Sequence, residues 1–101
     1  MPKKLGIFVS SDEHLPKLIG ILKAAKEKGV EAKVFLTHRG VLLTQDPRFG
    51  ELEGLAHVAL CNVGFEGYGL KRPIKVVKDQ DFATQARHAE ILEECDRYIS
   101  L

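Results

Sequence analysis

The sequence predicts an α/β domain built on a five-stranded parallel sheet, a three-layer sandwich of flavodoxin-like kind. Three observations carry this expectation. Short, near-continuously apolar runs such as KLGIFVS (4–10) and HVALCN (57–62) have the length and composition of strands covered on both faces. They alternate with segments whose apolar residues recur at helical spacing, the pattern of parallel strands joined by crossovers. Glycine, proline and acidic residues punctuate the joins.

The first strand is KLGIFVS, and the polar turn SDEH follows it. From Leu15 the residues Leu18, Ile19, Leu22 and Ala25 mark the inner face of a helix, with Lys17, Lys23, Lys26, Glu27 and Lys28 largely opposite. Ser10, Ser11 and Asp12 are the expected caps at its start, and Gly29 its end. VEAKVFLT (30–37) is the second strand. HRGVLLTQDPRFGELEGLA (38–56) is a loop with one or two short helical turns, HVALCN the third strand, and VGFEGYGL (63–70) a short helix weakened by glycine. PIKVV (73–77) reads as strand four, opening on a proline that cannot donate to a ladder. DFATQARHAEILEECD (81–96) is a helix with Asp81 as its N-cap and Ala86, Ala89 and Leu92 on one face, and RYISL (97–101) closes the chain as strand five.

A chain of 101 residues forms a single domain, here 1–101, around one core. With 45% apolar and 29% charged residues and a net charge of +1, the composition is that of a soluble globular protein, and nothing in it attracts a polyanion such as nucleic acid. No apolar run approaches the roughly 20 residues that span a bilayer, and MPKKLGIFVSSDEH turns polar too soon for a signal peptide. The expected compartment is the cytoplasm. Cys61 and Cys95 are far apart with no CxxC pairing, so both thiols are expected reduced, with no disulfide framework and no thiolate metal site. His14, His38, His57 and His88 show no ligand-like spacing, so no metal is expected.

With strands in the order 2-1-3-4-5, the segments SSDEH, THRG and CNVGFEG converge outside the carboxyl ends of strands one to three, where parallel sheets gather ligands. Cys61 then sits on that rim, near a switch point between strands one and three. Nucleotide cofactors are not expected. GFEGYG is not GxGxxG, the first strand-to-helix turn has no glycine, no Walker sequence occurs, and Asp12 and Glu13 repel phosphate after strand one.

The runs FLTHRGVLL, ALCNVGFEGYGL and QARHAEILEECDRYISL together resemble the DsrE/DsrF-like family of small sulfur-relay proteins, over the whole length of the chain. The resemblance implies a flavodoxin-like subunit, assembly into trimers or hexamers, and a cysteine that carries sulfur as a persulfide. Only Cys61 matches that position. The run NVGFEGYGLKR departs from the small-residue helix and Arg-Gly pair of the well-described relay members.

Weighed as chemistry, Cys61 at a strand-to-helix junction is either a nucleophile favoured by the helix N-terminus or a small buried hydrophobe. The amides of Asn62, Val63 and Gly64 are candidates to hold an anion or the outer sulfur of a persulfide, with Ser10 and Ser11 on the same rim. Lys71 and Arg72 add positive charge and Glu66 opposes it. His38 is either a proton acceptor for the thiol or a solvated loop residue. Cys95, on a helical face with Ile91 and Leu92, is expected to pack. Three functions remain: a sulfur carrier of sulfurtransferase type exchanging sulfane sulfur with donor and acceptor proteins; an oligomeric accessory subunit with an inert Cys61; and a thiol-redox protein, which needs a resolving cysteine. Val41, Leu42, Leu43, Phe49, Phe65 and Tyr68, in poorly supported segments, are expected to meet a neighbouring subunit.

Overall fold

A computed structural model describes residues 3–101. The chain runs β1 (Lys4–Val9), α1 (Leu15–Glu27), β2 (Glu31–Leu36), 3-10 turns at His38–Gln45 and Phe49–Leu52, β3 (His57–Cys61), α2 (Asn62–Gly67), a 3-10 turn at Asp79–Asp81, β4 (Phe82–Ala83), α3 (Gln85–Glu94) and β5 (Arg97–Ser100). All five strands are parallel, in the order β4-β3-β2-β1-β5. The class is therefore the expected α/β sandwich, but the strand order is not 2-1-3-4-5. An edge position for β2 would expose Val34, Phe35 and Leu36, which are fully buried on both faces of the sheet, and an interior place satisfies them.

The topology explains how the layers are filled. Successive crossovers from β1 to β4 step the same way, so the right-handed rule puts α1, the 3-10 turns and α2 on one face. There Leu18, Ile19 and Leu22 pack on Ile7, Val9, Val34, Leu36, Val58 and Leu60. The last connection doubles back across the sheet to β5, so α3 lies alone on the other face, over Phe8, Phe35, Ala59 and Cys61. The reversal thus falls beside β1, between it and β5. Cys61 is not at that switch point; it ends β3, between β2 and β4.

Helix α1 keeps its predicted inner face, and Gly29, at φ 71°, turns the chain out of it. The serines do not cap it. Pro16 occupies the first turn, the helix opens after His14, Ser11 Oγ accepts from the Glu13 amide (3.1 Å), and Asp12 pairs with Arg39. PIKVV does not pair with the sheet: Ile74 and Val77 form an isolated antiparallel bridge around a turn in which Val76 takes φ 83°, and Phe82–Ala83 supplies the fourth strand. Arg72, over the Phe82 ring at 4.2 Å, anchors this loop.

Helix α3 begins later than expected. Thr84 is its N-cap, its hydroxyl accepting from the Ala86 amide at 3.2 Å, whereas Asp81 is buried below. Thr84→Ala is expected to cost about 1 kcal/mol in chemical denaturation, with Thr84→Ser close to neutral. Its sheet-facing stripe is His88, Ile91 and Cys95, with the His88 ring 4.1 Å from Phe8 and 5.7 Å from Phe35. Ala86, Ala89 and Leu92 face outward. Of the residues expected at a subunit contact, Val41, Leu43, Phe49 and Phe65 are buried in the chain's own core, Leu42 is half-buried, and Tyr68 alone is exposed. No helix among the described residues is long and apolar enough to cross a membrane.

Candidate functional site

The site forms where three segments end or begin at the carboxyl edge of the sheet. β3 stops at Cys61, whose extended backbone (φ −78°, ψ 111°) makes it the N-cap of α2. β2 stops one residue before Thr37, and α3 starts with Gln85. Between them lies a cavity of about 380 Å³, lined by Thr37, His38, Cys61, Val63, Gly64, Thr84 and Gln85. The Gln85 amide donates to Thr37 Oγ1 at 3.0 Å, tying α3 to the end of β2 across this cavity.

Cys61 is only 7% exposed and forms no disulfide. Gly64 stands beside it: a methyl group built there would lie 3.9 Å from Cys61 Sγ, the His38 amide nitrogen and Val41. Val63, by contrast, is 77% exposed and projects past the rim. His38 is exposed and held at φ 49°, a left-handed conformation that costs a non-glycine residue on the order of 1 kcal/mol and concentrates at functional positions. Apart from this imidazole, the cavity lining has no ionisable group other than the thiol itself.

The structure thus brings Cys61, His38, Val63 and Gly64 together. Asn62 follows Cys61 directly, but its side-chain oxygen is turned to Arg72, at 3.4 Å from NH2. The amides of Asn62, Val63 and Gly64 are the first three of α2, which a helix leaves without intrahelical partners. Ser10, Ser11 and His14 are not part of this cavity. They follow β1, whose Val9 is level with Leu36 and Leu60, two strands or about 10 Å away from β3. Of the two loop cations, Arg72 reaches Asn62 and Asp79, and Lys71 lines a different cavity beside Thr44 and Lys75; Arg39, next to His38, is held by Asp12 at 3.0 Å.

Cys95 is a poor counterpart. Burial pushes its thiol pKa up and Glu94 adds to the effect, so less thiolate forms than at an ordinary cysteine. Its sulfur lies against Gly6, which is level with His57, whereas Cys61 is four residues further along β3. The two cysteines are about 13 Å apart along the strands and about 10 Å across them, too far for a disulfide without unfolding. A resolving pair within one chain is thereby excluded.

Thr37 belongs to THRG, the segment expected on this rim, whereas Thr84 and Gln85 are not legible as site residues. The one signal was TQARHAEIL, a hydroxyl before an apolar-periodic run, which marks a helix start but not what that start faces. No family model and no curated protein matches the chain.

Proposed function

We propose that this chain is a sulfur carrier of the DsrE/DsrF-like kind, holding sulfane sulfur as a persulfide on Cys61. The observation that supports the reading is that Cys61, at the junction of β3 and α2, lines a cavity together with His38, next to the first amides of α2, which have no intrahelical partner. The Cys61 thiolate attacks the outer sulfur of a donor persulfide, the donor leaves as a thiolate, and no net oxidation occurs. His38 is the group at the rim that takes the thiol proton. Val63 offers partner proteins an apolar contact next to the reacting sulfur. Assembly into trimers or hexamers belongs to the same proposal, with Tyr68, Leu92, Tyr98 and Ile99 as exposed apolar surface for it.

Incubation with a persulfide donor is expected to add one sulfur, about 32 Da, removable by dithiothreitol. Peptide mapping places it on Cys61, so Cys61→Ser loses it and Cys95→Ser keeps it. The low exposure of Cys61 favours a second reading, an accessory subunit whose thiol is inert. If the folded protein neither alkylates at Cys61 nor takes up sulfur there, that second reading replaces the first.

A further inference from the structure

A different cleft opens at the opposite end of β3. Because α3 is the sole helix on its face of the sheet and β4 has only two residues, the surface beyond β3 is left uncovered there. The resulting cavity, about 390 Å³, falls within the size range of small-molecule sites, roughly 300–1,000 Å³. Ala59 and Ile91 line it as apolar surface, and its wall carries three cations, Lys33, Lys78 and Arg87, and three carboxylates, Asp81, Glu90 and Glu94.

Four of these six charges are already matched. Lys33 is paired with Glu94, and Arg87 NH1 donates to Asp81 Oδ1 at 2.7 Å. Lys78 on the loop side and Glu90 on the helix side have no ion pair among the described residues. His57 stands beside Lys33 on the next strand, its side chain half exposed, with Nε2 2.9 Å from the same Asp81 oxygen. Asp81 is 1% exposed, and an ionised carboxylate held by an arginine only accepts hydrogen bonds, so Nε2 carries the proton. In the neutral ring this leaves Nδ1 as a lone-pair acceptor of fixed orientation.

We propose that this cleft is a second ligand site, taking a small zwitterion of the amino-acid type, with the His57 imidazole, held by Asp81, as its central hydrogen-bonding group. The ligand ammonium donates to His57 Nδ1 and pairs with Glu90, and its carboxylate pairs with Lys78. A dianion meets three carboxylates here and a simple cation meets three positive side chains, so neither matches the balanced wall. The proposal does not depend on Cys61.

The test follows the His57 ring nitrogens of the full chain by NMR during titration with L-alanine, with acetate, methylammonium and sulfate as single-charge and dianion probes. L-Alanine is expected to give a saturable shift of Nδ1 at millimolar concentration, with each single-charge probe at least about tenfold weaker. Lys78→Met and Glu90→Gln, both at exposed positions, are each expected to weaken L-alanine about tenfold while the amide spectrum keeps its fold. The proposal is overturned if sulfate, acetate or methylammonium binds as well as L-alanine, if neither substitution weakens binding, or if L-alanine leaves the ring unmoved.

Discussion

Gly40→Ala is expected to destabilise the protein by about 3 kcal/mol or more, a large part of the total stability of a domain of this size. A methyl group on Gly40 would overlap the Val9 carbonyl oxygen and stand 2.7 Å from its carbon. That carbonyl cannot swing aside, because it ends a central strand and accepts from the Thr37 amide at 2.9 Å. Gly40 in turn donates to Thr37 O at 2.8 Å, so the close approach also seats Thr37 and His38 over Cys61. Two other glycines act as comparisons. Gly67→Ala, with open space around it at the last residue of α2, is expected to be neutral or stabilising by up to about 1 kcal/mol. Gly64→Ala makes only ordinary contacts at 3.9 Å, so it is expected to fold while slowing alkylation of Cys61. Urea midpoints of the three variants check the order, and a Gly40→Ala midpoint equal to the native one contradicts the close approach.

What was legible in the sequence is what local pattern determines. β1, β2, β3 and α1 stand within a residue or two of their expected limits because each has an uninterrupted periodicity and a glycine or polar stop. The misreadings share a cause: each concerns which neighbour a segment meets. PIKVV has strand composition, yet Ile74, Val76 and Val77 serve the core from a turn, and the two-residue β4 has no pattern of its own. On α3 the apolar residues Ala86, Ala89 and Leu92 have the spacing of an inner stripe. The stripe that packs includes His88, whose ring covers Phe8 and Phe35 and whose polarity hid it.

The site divides in the same way. Cys61 was placed at the end of β3 from a strand pattern and a glycine cluster, information contained in a dozen consecutive residues. Ser10 and Ser11 reach its rim only if β1 and β3 are neighbours, and β2 lying between those strands moves them away. Asp81, preceding a helical run, has the local signature of a cap. Its partners His57 and Arg87 lie 24 and 6 residues away, and nothing local links a strand-starting histidine to it.

Arg87→Met is expected to cost about 3 kcal/mol, because it leaves the Asp81 carboxylate buried with only the His57 ring to compensate it. Asp81→Leu is expected to cost less: the stranded guanidinium is about a quarter exposed and recovers part of its hydration, whereas the carboxylate is 2% exposed. The double variant is expected to be more stable than the sum of the two predicts, by at least about 1 kcal/mol, since it removes both charges together. Additive losses would show that the pair is not coupled. Lys33→Met, which breaks the more exposed pair with Glu94, is the comparison and is expected to cost less than about 1 kcal/mol. The consequence extends to Cys61. Arg87 ties the first turn of α3 to the loop before β4, and two residues earlier Gln85 is bonded to Thr37 across the cavity. Loosening this turn in Arg87→Met is expected to raise the alkylation rate of Cys61 under native conditions by more than the same loss of stability produced in the native protein by urea. Equal rates at matched stability would mean that α3 does not control access to the thiol.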